Sequence, residues 1–195
     1  RDCDHVTIDN YKAAKDATNY LIDRGHRDIA FFGWQSSLTT ITDRIDGFRD
    51  ALKEAGIEPN PSAIVEVDRD RDAAFEAAMA ILPNGGFTAV LAGQSNIGEG
   101  VVDALFTMGW KIPEEISVML YGDPSWASIF KPKFDCIVQP HLDMGSKAAE
   151  LIIDRLENPN HVLSRHVFSA SICTRESVLD LTLPQKSLAA TKVYS

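Results

Sequence analysis

The sequence predicts an α/β protein in which a parallel sheet is covered by helices on both faces. Short apolar runs alternate with helical periodicity along most of the 195 residues, the signature of repeated strand–helix units. The strand runs, such as Ile29-Ala30-Phe31-Phe32 and Thr88-Ala89-Val90-Leu91-Ala92, are apolar at successive positions, as strands buried on both faces must be. A composition of 45% hydrophobic and 24% charged residues belongs to a globular protein and excludes disorder, collagen and coiled coil.

Taken in order, His5 to Ile8 reads as a strand, and Asp9 or Asn10 can cap the helix that follows. That helix sets Tyr11, Ala14, Thr18, Leu21 and Ile22 on one face and stops at Gly25. Ile29 to Phe32 is the next strand. Leu38, Ile41, Ile45, Phe48, Leu52 and Ala55 then recur at spacings of three and four, the clearest helix in the chain. Ala63 to Val67 is a strand, Phe75, Ala78, Met79 and Leu82 mark a helix, and Pro83-Asn84-Gly85-Gly86 reads as a turn. Thr88 to Ala92 is a strand, followed by a helix carrying Ile97, Val101, Ala104, Leu105 and Met108, with Ser95 as its cap. Ile116 to Leu120 and Cys136 to Val138 are strands, and Leu142, Gly145, Ala149, Ile152 and Leu156 form the last helical stripe. His166 to Cys173 reads as one final strand, and a loose tail is expected from Pro184 onward. In such sheets ligands sit beyond the carboxyl ends of the strands, which directs attention to the loops after Ile8, Phe32, Val67, Ala92, Leu120 and Val138.

Charge and cysteine usage exclude several functions. The chain has 19 basic and 28 acidic residues, a net charge of −9, so its overall field has the wrong sign for gripping nucleic acid by itself. Cys3, Cys136 and Cys173 show no C-x-x-C spacing and suit buried thiols in a reducing compartment. The sequence has no stretch long enough to span a bilayer and no signal-peptide pattern, so a cytoplasmic protein that makes no membrane contact is expected.

The candidate chemistry is sparse. Asp68-Arg69-Asp70-Arg71-Asp72 opens like a calcium loop but has Ala73 and Met79 where Gly and Glu are required, so a solvated charge run is the better reading. Gly93-Gln94-Ser95-Asn96-Ile97 lacks the second glycine of a hydrolase nucleophile elbow. The five histidines (His5, His26, His141, His161 and His166) show no metal-ligand spacing. No catalytic residue, metal or cofactor is expected. Trp34, just past a strand end, either stacks on a sugar or packs. Arg44 lies near the start of a strongly amphipathic helix, where a cation opposes the dipole. It reads either as a planar fork for an oxygen-rich or anionic ligand or as a surface charge balanced by Asp43 and Asp46.

Several segments together resemble the effector-binding domain of the lactose-repressor (LacI/GalR) family of bacterial transcription regulators. They are Val6 to Asn10, Tyr20 to Ala30 with its Gly25-His26-Arg27 turn, Arg44 to Leu52 with Ala55-Gly56-Ile57, Thr88-Ala89-Val90, Gly109 to Val118, Gln139-Pro140, Met144-Gly145 and Arg175-Glu176-Ser177. The resemblance implies a periplasmic-binding-protein-like fold of two Rossmann-like subdomains around an effector cleft. It further implies an incomplete chain, lacking a helix-turn-helix domain, a hinge and most of the N-terminal subdomain. Residues 1–27 and 139–160 would be the remnant of that subdomain, 28–136 and 163–180 the C-terminal subdomain, and 181–195 a tail. On that division the faces of Tyr11/Leu21 and Ala149/Ile152 lack partners.

Position by position, the resemblance puts Arg44 at the family's inducer-binding arginine and Gln139 at its cleft glutamine. Arg69 takes the place of a sugar-stacking aromatic, Gln94 that of a ligand-binding Asn, and Ser95 that of its Asp neighbour. The family's Gly-[FY]-Asp-Asp motif becomes Leu120-Tyr121-Gly122-Asp123, leaving Asp123 as the remaining acid. The loss of one carboxylate and the gain of Arg69 imply an effector bearing a carboxylate or phosphate. The implied protein is a non-enzymatic, homodimeric sensor of a sugar-like effector that reaches DNA only through the absent domain, with Asn96 to Met108 near the dimer interface. A solute-binding protein of a sugar transporter is the alternative, and a hydrolase using Ser95 is a remote third.

Overall fold

The computed structural model describes residues 3–58, 60–159 and 162–184. Eight strands and five α-helices follow in chain order: β1 (His5–Ile8), α1 (Asn10–Asp23), β2 (Ile29–Trp34), α2 (Thr39–Glu54), β3 (Ile64–Val67), α3 (Arg71–Gly85), β4 (Ala89–Ala92), α4 (Ser95–Thr107), β5 (Ser117–Tyr121), β6 (Asp135–Val138), α5 (His141–Glu157), β7 (Arg165–Phe168) and β8 (Ser171–Cys173). Among the described residues one 3-10 turn, Ser125–Ser128, lies between β5 and β6.

Six strands form the main sheet in the order β3-β2-β4-β5-β6-β8, all parallel except for β8, which runs antiparallel to β6. The period-two alternation of a strand divides its side chains between two cores. Ile29, Phe31, Ala89, Leu91, Met119 and Tyr121 face α1 and α2. Ala30, Phe32, Val90, Ala92, Val118 and Leu120 face α3 and α4. Both faces are therefore apolar, which explains the unbroken hydrophobic runs in the sequence.

The helix pairs lie close together. A side chain at Gly47 would run into the backbone carbonyl of Tyr11, so only glycine lets α2 approach α1 this closely. Across that contact Ala13, Ala17, Leu21 and Ile22 pack with Ile45, Phe48 and Leu52. The charge run after β3 becomes a helix start: Asp70 caps α3 by accepting from Asp72 N, while Arg71 reaches across to Glu99 and Asp103 of α4. His26, buried in the turn between α1 and β2, joins that turn to the residue before β4 and to the segment after β8 through Thr88 Oγ1 and the Leu179 carbonyl, each at 3.0 Å.

Four sequence expectations need correction. Residues 10–23 do not belong with a separate remnant, because α1 buries its apolar face in the core of the main sheet. Leu21 is accordingly fully buried, and Tyr11 donates to Asp50 at 2.8 Å. Pro83 to Gly85 form the last turn of α3 rather than a loop, and Gly86 ends the helix. The segment 166–173 is two strands in two sheets: β7 pairs with β1 in a separate two-stranded parallel sheet, and β8 closes the edge of the main one. The expected tail begins later than residue 181, since Leu181 N donates to the Arg24 carbonyl at 2.8 Å; residues 185–195 lie outside the described residues.

The small sheet contrasts with the large one. Helix α5 packs beside β1 yet has no buried residue, and Leu142, Ile152 and Leu156 are largely exposed. Asp4 holds this unit together by accepting from Ser164 N at 2.9 Å and pairing with Arg155 at 2.8 Å. Those contacts, the Ser164 amide first, hold its carboxyl at about 2.

Candidate functional site

The carboxyl ends of β1, β2, β4 and β5 converge, and Arg44 is turned into that junction. It does not pair with Asp43 or Asp46: Asp46 instead faces Arg49 at 3.6 Å. Arg44 Nε donates to Asn10 Oδ1 at 2.9 Å and Nη1 to the Gly93 carbonyl at 2.6 Å. Its guanidinium carbon sits 3.6 Å from the centre of the Tyr121 ring, a cation–π contact in a desolvated setting. Burial pushes the Arg44 guanidinium below its usual range, but an arginine remains charged at any physiological pH. The reading of Arg44 as a surface charge is therefore excluded by its contacts.

Asn10 and Tyr121 are the partners that sequence reasoning did not single out. The Asn10 carbonyl accepts from both Arg44 and the Tyr121 hydroxyl, each at 2.9 Å, so its two lone pairs are used. Its amide donates to the Ile8 carbonyl at 3.1 Å, which anchors the knot to the end of β1. Asp9 takes the capping role, accepting from Lys12 N, and this frees Asn10 to point inward. Tyr121 is 2% exposed and its hydroxyl titrates high, chiefly because of burial; Gln139 lies within polar contact of that hydroxyl. Beside Asn10 opens a polar groove of about 500 Å³, lined by Thr7, Asp9, Thr39, Asp43 and Arg165 among others.

A second group adjoins the first through Gly93 and Gln94. Gln94 is 6% exposed, and its Oε1 accepts from the Trp34 backbone N–H at 3.2 Å. Gln94 Nε2 and Trp34 Nε1 are buried donors without a hydrogen-bond partner among the described residues. Arg69 stacks over the Trp34 ring at 4.9 Å, and Asn96 holds the Arg69 carbonyl at 3.3 Å. Arg69 itself is exposed and enters no ion pair among the described residues. The ring of Trp34 thus has its face covered by a cation rather than left open.

Asp123 is engaged elsewhere. Arg175 grips it with a two-pronged contact at 2.8 and 2.7 Å and keeps its carboxyl below the usual range. Gly122 has φ +98°, a conformation that side-chain-bearing residues rarely adopt, and a Cβ there would also press on Ser95 Oγ. The expected Ser95 cap is a correction: Gln94 precedes the helix, Ser95 is its first residue, and its hydroxyl donates to the Tyr121 carbonyl at 3.2 Å. That engagement supplies no base for a nucleophilic serine. Among the described residues no group of three or more His, Cys, Asp or Glu could hold a metal; His161 lies outside them.

The Asn10 carbonyl satisfies two buried donors at once, so Asn10→Ala should cost about 2–3 kcal/mol of stability, since each donor stranded in the interior carries a desolvation penalty. Urea denaturation measures it, and a loss within experimental error would show that the knot is not a structural element.

The fold agrees with known proteins. The periplasmic binding protein-like domain family matches residues 18–178. A transcriptional regulator of Clostridium saccharobutylicum, RegA, is 34% identical over 169 residues, covering 83% of this chain and 51% of its own. The ribose operon repressor of Haemophilus influenzae is 32% identical over 85% of this chain and 50% of its own. A probable opine utilization operon repressor of Rhizobium rhizogenes is 34% identical over 77% of this chain and 80% of its own. The chain thus spans about half the length of the first two relatives. Among solved structures, a LacI family regulator of Enterococcus faecium with bound ribose superimposes with a TM-score of 0.85 at 25% identity, covering 91% of this chain and 66% of that one. The regulator CelR in complex with cellobiose gives 0.83 at 29% identity, covering 90% and 54%. These relatives are transcription regulators, which does not favour the transporter alternative. No described helix is long and apolar enough to cross a membrane. The chain belongs to the periplasmic binding protein-like domain family, in its LacI transcription-regulator branch.

Proposed function

We propose that this chain is the sensing half of a cytoplasmic transcriptional regulator, and that its effector is a sugar derivative carrying a carboxylate or phosphate. One observation carries the reading: around Trp34 and Gln94 the lining offers buried donors without partners, while the carboxylates of Asp9 and Asp43 line the groove beside Asn10. Arg44, Arg69, Trp34 Nε1 and Gln94 Nε2 present positive or N–H groups, while Asp123 is consumed by Arg175 and Gly122 supplies no carboxylate. A ligand rich in acceptor oxygens satisfies those donors, and the hydroxyls of its sugar part can donate to Asp9 and Asp43. Structures similar to this chain bind ribose, cellobiose and phosphate, chemistries that the proposed ligand combines.

Signalling follows as a population shift. Effector bound at the knot favours one setting of the small sheet against the large one, and attached DNA-binding heads read that setting. Asn10 sits at the turn between β1 and α1, where such a change would pass. This reading requires no bond-making and makes the chain a sensor rather than an enzyme. DNA contact is assigned to a separate domain, in keeping with the net charge of −9.

Dimerisation is assigned to the outer face of α4 and the 3-10 turn. Phe106 and Phe130 stack at 5.8 Å there, remain 40% and 42% exposed, and adjoin Ile129 at 78%. Sedimentation should find a dimer that Phe130→Glu shifts toward monomer; an unchanged dimer would move the interface elsewhere.

Calorimetric titration of the full-length protein tests the ligand class. Sugar acids or sugar phosphates should bind, and Arg69→Ala should weaken them roughly ten-fold, the scale of one lost charge-assisted contact. Tight binding of neutral sugars alone, indifferent to Arg69→Ala, would contradict the proposal.

A further inference from the structure

Two of the three thiols face each other across a strand pair. Cys136 on β6 and Cys173 on β8 are direct partners in the antiparallel register. Residues directly opposed in such a ladder point to the same side, with Cα atoms about 4.5 or 5.5 Å apart. Both spacings fall inside the range of roughly 4.4–6.8 Å that a disulfide spans. The two sulfurs are near enough to influence each other electrostatically, yet both thiols are free. The strand β8 is the edge of the sheet, so Cys173 is half-exposed, while Cys136 is fully buried.

We propose that Cys136 and Cys173 form a reversible cross-strand disulfide when the protein meets a peroxide. The two cysteines play different parts. Burial, reinforced by the charge of Asp123, pushes the Cys136 thiol up to about 12, so it stays protonated. Cys173 is the one that solvent reaches, and the Arg175 guanidinium lies close to it. The Cys173 thiolate attacks one peroxide oxygen; the O–O bond breaks, and the leaving hydroxide takes a proton to become water. The Cys136 sulfur then attacks the Cys173 sulfenic acid. An S–S bond forms, the S–O bond breaks, and the hydroxyl departs as water with the Cys136 proton. Two thiols are oxidised and one peroxide is reduced to two waters.

Proximity favours the second step over further oxidation, although the protonated Cys136 thiol reacts more slowly than a thiolate. Arg175 Nη1 holds Cys136 Sγ at 3.3 Å, and Cys136 is fixed on a buried strand opposite its partner. The resolving sulfur is therefore in place before Cys173 is oxidised, and ring closure competes with a second peroxide only as an intramolecular reaction does. The contact to Arg175 also ties the redox state to the Arg175–Asp123 pair at the end of β5.

The test uses the Cys3→Ser variant of the protein, which removes the exposed third thiol. Exposure to hydrogen peroxide should lower the intact mass by about 2 Da, one lost hydrogen per thiol, within a monomer. Peptide mapping should join Cys136 to Cys173, both should resist alkylation, and dithiothreitol should restore them. Adding Cys136→Ser should instead leave Cys173 as a sulfenic acid that dimedone captures. Adding Cys173→Ser, at the less buried site, should abolish the mass loss even if the first variant folds poorly. Oxygen addition to Cys173 with Cys136 still alkylatable on unfolding, or a bridge between two chains, would overturn the proposal.

Discussion

The buried guanidinium of Arg44 is the constraint on which the rest of the junction depends. A fixed charge taken out of water must be met by oriented acceptors, or its burial becomes prohibitive. Here the Asn10 side chain, the Gly93 carbonyl and the Tyr121 ring meet it. Those three groups come from the ends of β1, β4 and β5, so one side chain of α2 ties three strand ends together. The knot is polar at the place where the sheet's two apolar cores run out. It consequently leaves a preformed set of donors rather than a collapsed hydrophobic surface.

Placing that side chain depends on packing further away. Gly47, three residues along α2, lets the helix lie against α1, and the apolar faces of both helices, Phe48 among them, then pack in one core with Phe31. With α1 fixed, Asn10 at its first turn is fixed as well. The chain of dependence thus runs from a missing Cβ, through a helix–helix contact, to the acceptor that holds Arg44. At β5, Gly122 plays a comparable part by sparing room for the Ser95 hydroxyl.

Much of the fold was legible because period and composition are local properties. The five α-helices and the doubly buried strands follow from spacing, and the cap of α1 was narrowed to Asp9 or Asn10. What failed was contextual. Pro83 reads as a breaker but sits in the last turn of a helix, where the lost N–H bond costs least. The run 166–173 reads as one strand because nothing local distinguishes pairing with β1 from pairing with β6. The allegiance of α1 was also hidden, since an amphipathic face does not reveal which sheet it covers. At the site, Arg44 was visible as a charge against the helix dipole, Trp34 by its position after a strand, and Gln94 through the family resemblance. Asn10 was masked by its resemblance to a cap, and Tyr121 by looking like the apolar end of a strand. The one signal available was a polar residue directly after Asp9, which already fills the cap. Cross-strand partners such as Cys136 and Cys173 lie beyond any local pattern.

The most direct test of the central claim is the exchange rate of the Arg44 Nε proton, read by nitrogen-edited NMR and assigned with Arg44→Lys. A guanidinium held between Asn10 and the Tyr121 ring predicts a resolved, slowly exchanging Nε–H that shifts when an effector binds. A signal that exchanges as fast as those of exposed arginines would contradict the account, because the knot would then not exist before the ligand arrives.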